Sequence, residues 1–179
     1  YVDPPKLDGY VMMFVGIPDA EGSILHFKGK INYMFPGPGG NGFLIKSEEI
    51  SGHVMEKIKG EASLEASTTG IKFDGKLYYQ LNEEYDIAVA TLEVFIDLSA
   101  TGNFTFIKDP FSMSTSLVFE GNWDVDISGH DLISDYEKFS CSLSADAQQA
   151  SVEITKTINY GILWYKGSTE LKLGFTLDY

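Results

Sequence analysis

The sequence predicts an all-β protein built as an antiparallel β-sandwich with jelly-roll-like connections, with a closed β-barrel as the alternative. Three observations lead to this prediction. Apolar and polar residues alternate with a period of two along most of the chain, turn residues separate the alternating segments, and no long segment has helical periodicity. Short connections favour antiparallel neighbours in either architecture. The 179 residues are expected to form a single domain, residues 1–179.

The clearest strand covers residues 111–127. Its odd positions are apolar or small, and its even positions are polar with the single exception of Val118. Phe119 and Trp123 lie in the middle of the apolar face and are expected in the core. At 3.3 Å per residue this strand would be roughly 55 Å long. It is therefore expected to bend or to serve two sheets, which favours the sandwich over the barrel.

The remaining elements are predicted from the same alternation and from Gly, Pro and Asn clusters. Residues 1–8 form an extended lead-in with two prolines, and residues 9–17 form a strand that is apolar on both faces. Further strands are expected at 25–35, 43–45, 58–66, 71–81, 88–98, 104–107, 139–145, 152–164 and 171–179. Turns or loops are expected at 18–23, 36–42, 67–70, 82–85, 109–110 and 128–134, with one helical turn within 132–139.

The N-terminal strand is the first candidate for a contact with another chain. Its central residues have no polar face to present to water: Tyr10, Val11, Met12, Met13, Phe14 and Val15. An exposed edge of this composition aggregates unless it is covered. Residues 1–17 are therefore a candidate N-terminal extension, or donor strand, that completes the sheet of another copy. A central position in the chain's own sandwich is the alternative.

Composition limits the classes of partner. The chain has 13 lysines, no arginine and a net charge of −13, so it lacks the basic surface that nucleic acid or an anionic membrane requires. It has no HExxH, GxSxG or phosphate-loop motif, and its histidines do not form a catalytic pattern. We therefore expect a protein that is not an enzyme. The chain begins at Tyr1 rather than Met, which agrees with removal of a leader and with an extracellular or cell-surface location.

Two further sites follow from local sequence. Asp124, Asp126 and Asp131 are close in sequence around a Ser-Gly turn and are candidate calcium ligands, since calcium prefers carboxylate oxygens. No other cofactor is expected. Asn103 begins an Asn-Phe-Thr glycosylation sequon, which matters if the protein is exported.

These observations favour an exported, non-enzymatic structural or adhesive subunit that assembles with copies of itself by β-strand complementation. One alternative is a soluble β-barrel that carries an apolar small ligand, because Gly60, Ala62, Ala66, Ala88 and Ala90 would leave space inside it. The other is an outer-membrane β-barrel. This alternative rests on the final strand, which resembles the terminal strand of bacterial outer-membrane barrels. The residues that carry the resemblance are Leu171, Leu173, Phe175, Leu177 and Tyr179.

Overall fold

A computed structural model describes residues 6–16, 23–35, 42–54 and 57–178. Alternating side chains and short turns produce ten strands in the described part of the chain. They are β1 (Lys6–Gly16), β2 (Ser23–Met34), β3 (Leu44–Val54), β4 (Ile58–Ser67), β5 (Gly70–Ile87), β6 (Ala90–Ile107), β7 (Ser112–Ile127), β8 (His130–Asp146), β9 (Gln149–Ile162) and β10 (Tyr165–Asp178).

The ten strands form one antiparallel sheet in the order of the chain, which confirms the all-β antiparallel class. Each strand pairs with its sequence neighbours, because a connection of a few residues can reach only the adjacent position. The crossover connections of a jelly roll are thus replaced by an up-and-down order. Within the described residues β1 and β10 do not pair, so the sheet is open or sandwich-like and is not a clean barrel.

Several strands are longer than the sequence predicts. The expected turn at 82–85 lies within β5, and the predicted strands 88–98 and 104–107 are joined in β6. The expected loop at 128–134 is only a two-residue turn, and residues 132–139 belong to β8 rather than to a helical turn. In each case polar residues and glycines suggest a break in the sequence, while hydrogen bonds from both neighbouring strands keep the backbone extended.

Strand β3 extends well beyond the predicted 43–45 and contains an irregularity opposite β4. The β3–β4 register shifts between Lys46 and Ile50. Ser47 is buried there, and its Oγ accepts from Leu64 N at 2.6 Å and donates to Leu64 O at 3.2 Å. The hydroxyl thus replaces the backbone partner that the bulge removes.

Tight turns join the long central strands at one end of the sheet. Ala88 and Leu163 have φ of 54° without being glycine, and Ser128 and Gly129 have φ of 51° and 78°. Positive φ at the first turn residue is the geometry that joins two twisted strands by a two-residue hairpin. These turns keep β5–β6, β7–β8 and β9–β10 in fixed register.

The expectation that Phe119 and Trp123 lie in a core is wrong. Phe119 is 46% exposed, Trp123 is half-buried, and no hydrophobic side chain is buried among those whose burial is described. The physical reason is the architecture: the described strands form one sheet in which each strand pairs only with its sequence neighbours, and the large hydrophobic side chains whose burial is described stay partly exposed.

Candidate functional site

The main candidate for a contact site is the face of the sheet that carries exposed apolar side chains, which we call the apolar face. Cross-strand register places the odd-numbered positions of β5, β7, β8 and β10, and the even-numbered positions of β4, β6 and β9, on this same side. Members of this face include Ile58, Leu64, Phe73, Leu77, Leu98, Phe104, Leu117, Phe119, Trp123, Phe139, Leu171, Leu173 and Phe175. Exposed apolar surface of this extent marks a site of contact.

Large side chains on the apolar face cover neighbouring glycines. A Cβ at Gly121 would come within 2.8 Å of Trp123 Cζ3 and 3.1 Å of Leu98 Cδ2. A Cβ at Gly60 would come within 2.8 Å of Leu77 Cδ2. The missing Cβ atoms therefore let these side chains cover the backbone, which smooths the surface for contact with another flat surface.

A shallow depression of about 530 Å³ lies in the middle of the apolar face. Its walls include Leu77, Leu98, Trp123 and the aromatic pair Phe119 and Phe139, whose ring centroids are 6.3 Å apart. This volume is within the range of small-molecule sites, although the depression is open to solvent.

Few charges interrupt the apolar face. Glu83, Asp135, Glu137 and Lys156 are the charged residues on this side of β4–β10. Glu137 Oε2 and Lys156 Nζ form an ion pair of 3.3 Å, which neutralises two of the four. Asp135, which lies opposite Trp123, has its Oδ1 buried with no hydrogen-bond partner among the described residues. Glu83 and Asp135 are therefore the charges on this side of β4–β10 that a contact with another apolar surface would have to accommodate, because burying an unpaired carboxylate is costly.

The opposite face, which we call the polar face, carries a network of charged and hydroxyl side chains. Lys138 Nζ lies 2.6 Å from Glu120 Oε1, and the Tyr136 hydroxyl donates to the same oxygen at 3.5 Å. The hydrogen bond to the Glu120 carboxylate, with its negative charge, raises the pKa of Lys138. These pairs are about two-fifths exposed, so their role is solvation and register rather than large stabilisation.

The structure brings the three predicted calcium ligands to the end of the β7–β8 hairpin. A register irregularity after Val125 places Asp131 directly opposite Asp126, and Asp124 lies two residues earlier on the same face. Partial burial, followed by the Asp131 carboxylate and then the Asp124 charge, raises the pKa of Asp126. The described residues contain no group of three or more His, Cys, Asp or Glu arranged to hold a metal ion. Calcium binding by these residues remains a prediction.

Asn103 lies within β6 rather than beside a turn. Its Nδ2 donates to Ser116 Oγ at 2.7 Å, and Thr115 Oγ1 donates to the Asn103 carbonyl at 2.9 Å. A glycan would have to use the nitrogen that makes this cross-strand bond. Glycosylation of Asn103 remains a prediction.

The candidate partner strand, Tyr10–Val15, is the middle of β1. Its backbone pairs antiparallel with β2 from Lys30 to Leu25. The segment therefore pairs with the strand that follows it in the sequence. Its other edge has no partner strand among the described residues, so pairing with another copy remains a prediction.

Comparison with known proteins does not assign the chain to a family. No protein-family model, curated protein or solved structure matches it. In the part of the chain that the structure describes, no helix is long and apolar enough to cross a membrane.

Proposed function

We propose that this chain is a non-enzymatic structural subunit that assembles with copies of itself through its β-sheet at the cell surface. The observation that supports this most is the uncovered apolar face. A sheet with one apolar face gains its stability by burying that face against a second layer. Among the described residues, large side chains of this face stay exposed, as at Leu117 and Phe119, and a second copy can supply the same face as the covering layer.

The area of the apolar face is large enough for a stable contact. Ten strands at about 4.8 Å spacing give a width of about 48 Å. The rows that cross all ten strands extend from Leu7 to Val15, a length of about 30 Å at 3.3 Å per residue. The resulting area of about 1,400 Å² per copy exceeds the ~800 Å² per partner of a standard protein interface.

The charge distribution supports face-to-face packing of two copies. Most charges of the acidic chain lie on the polar face or at strand ends, where they stay in water when two apolar faces meet. Each copy then supplies one sheet of a sandwich. The acidic outer surfaces repel one another, which limits stacking beyond two layers.

An apolar-ligand carrier is the second candidate, because the depression beside Phe119 has a volume of about 530 Å³. A carrier would remain monomeric and would bind an apolar fluorescent probe in that depression. The self-assembling subunit would instead hide the depression between two copies.

Size-exclusion chromatography with light scattering, followed by electron microscopy, tests the proposal. We expect dimers or larger assemblies in plain buffer, with a midpoint of thermal unfolding that rises with protein concentration. A chain that stays monomeric at all concentrations would contradict the proposal and favour the carrier. A chain that dissolves only in detergent would also contradict it.

A matched pair of variants locates the contact. Leu117 lies on the apolar face of β7, and Ser114 lies on the polar face of the same strand. Leu117→Lys should reduce association at least tenfold, because it places a charge in the contact. Ser114→Lys adds the same charge to the other face and should leave association unchanged. Equal effects of the two substitutions would argue against the apolar face as the contact.

A further inference from the structure

The two outer strands of the sheet, β1 and β10, each have one hydrogen-bonded neighbour among the described residues. We propose that β1 of one copy pairs antiparallel with β10 of the next, so that the sheet continues from copy to copy. This inference rests on the proposed self-assembly, and it names the two edges that join.

Strand direction permits this continuation. The ten strands alternate in direction, so β1 and β10 run in opposite directions. When two copies lie side by side in the same orientation, β10 of the first is therefore antiparallel to β1 of the second. The contact is head-to-tail and leaves one free edge at each end, so it can propagate.

The rows of directly opposed residues run straight across the sheet, so that β1 and β10 lie at the same level. The row of directly opposed residues that starts at Leu7 ends at Leu177, and the row that starts at Val15 ends at Thr169. The first row contains Leu7, Tyr33, Ile45, Ala66, Ile71, Phe106, Met113, Ala145, Ala150 and Leu177. A second copy placed flush against the first therefore sets position 7 opposite position 177.

On the apolar face this flush register sets apolar positions opposite apolar positions, as at Val11 opposite Leu173, so the apolar face continues from copy to copy. On the other face it sets Met12 opposite Lys172 and Phe14 opposite Glu170, so the match in chemistry is confined to the apolar face. All eleven residues of β1 find partners within the fourteen of β10.

One face of strand β10 lacks the features that usually protect an edge. The strand contains no proline, and its apolar-face positions from Tyr165 to Leu177 carry no charge, whereas its charged residues, Lys166, Glu170, Lys172 and Asp178, lie on the other face. Phe175 on this edge is 65% exposed. A long edge with an uncharged apolar face can pair with another chain.

Pairing of β1 with β10 within one chain is disfavoured by the same register. A closed barrel requires tilted strands and a stagger of about one residue per strand, as in the eight-stranded barrel of shear 8. For ten strands the shift is about ten residues. Such a shift leaves at most residues 6–9 of β1 opposite β10, whereas the flush contact between copies uses the whole strand.

Disulfide trapping between copies tests the edge contact. Leu7→Cys and Leu177→Cys are placed in separate chains that also carry Cys141→Ser, and the two proteins are mixed and oxidised. Directly opposed residues of antiparallel strands have Cα atoms about 4.5–5.5 Å apart, which suits a disulfide. We expect a linked heterodimer in the mixture and little linkage in either protein alone.

The matched control is Thr176→Cys in place of Leu177→Cys. Residue 176 is adjacent in sequence but belongs to the polar face, so its linkage to position 7 should be at least tenfold lower. Equal linkage of the two positions would refute the flush register. A doubly substituted chain, Leu7→Cys with Gly167→Cys, tests closure within one chain, because a shift of ten residues sets position 7 opposite position 167. Linkage of this chain to itself as a monomer would also overturn the inference.

Hydrogen exchange of the unsubstituted protein provides a test that needs no variant. We expect amides of residues 6–16 and 165–178 to gain protection in concentrated, assembled samples relative to dilute ones. Assemblies that form without this protection would refute the edge contact while leaving the proposed self-assembly intact. A protein that never assembles would refute both.

Discussion

Replacement of Phe119 by alanine should lower both the stability of one copy and the association between copies, and the two effects can be measured separately. Phe119 lies in the middle of the apolar face, next to Phe139, and is 46% exposed. A phenylalanine side chain offers roughly 200 Å² to water, so about 90 Å² remains uncovered in a single sheet. At about 25 cal/mol per Å², covering this area contributes about 2 kcal/mol per copy.

Phe119→Ala should therefore weaken association by roughly 30-fold per substituted copy, since each 1.4 kcal/mol is a factor of ten. Within one copy the side chain is only about half covered, so the loss of unfolding free energy should be about 2 kcal/mol rather than the 3–5 kcal/mol of a fully buried phenylalanine. Sedimentation across a dilution series measures the first quantity, and denaturant unfolding at the lowest concentration measures the second.

Val118→Ala is the control, because Val118 is adjacent but lies on the polar face. It should leave association unchanged. An unchanged association of Phe119→Ala, or a destabilisation of dilute protein as large as that of a core deletion, would refute a contact between copies at Phe119. The second result would mean that the apolar face is already covered within one chain.

The other predictions concern the turns and the acidic cluster. Ala88→Gly should raise unfolding free energy by up to about 1 kcal/mol because it relieves a positive φ, whereas Ala90→Gly in the adjoining strand should lower it by a similar amount; thermal unfolding of both variants compares them. Asp126 has a raised pKa, so its contribution to stability is fully present below its unfolded pKa and is lost as pH rises through the folded value. Asp131→Asn should lower the pKa of Asp126, measured by carboxyl NMR titration, and should flatten this part of the stability profile; an unchanged titration would contradict the assigned cause. If calcium binds to Asp124, Asp126 and Asp131, a chelator should lower the melting temperature, and an unchanged melting curve would remove the metal hypothesis.

The strand class could be predicted from sequence because alternation is a local signal. Residues 111–127 read as one strand, and the structure confirms β7 there. Strand limits were harder to predict. Glu83 and Glu84 resemble turn residues, yet they continue β5 because Val94 and Glu93 of β6 pair with them. Local composition does not reveal such pairing.

The number of layers could not be predicted, because an apolar strand face shows only that some surface covers it. The alternating sequence around Phe119 is the same whether a second sheet of the chain or another copy covers the side chain. The arrangement of the acidic cluster could not be predicted for a similar reason. Proximity in sequence groups Asp131 with Asp124 and Asp126, but only the register irregularity after Val125 shows that Asp131 faces Asp126.

The topology itself explains why the free edges matter to this molecule. Each strand contacts only its sequence neighbours, so the stability of the described sheet approximates a sum over adjacent strand pairs, as in a repeat protein. In such a series the terminal units have one neighbour instead of two and open first. Pairing of β10 with β1 of the next copy gives each terminal strand its missing neighbour, and packing of apolar faces gives every strand a second layer. Both contacts therefore stabilise the strands that the isolated sheet leaves least supported.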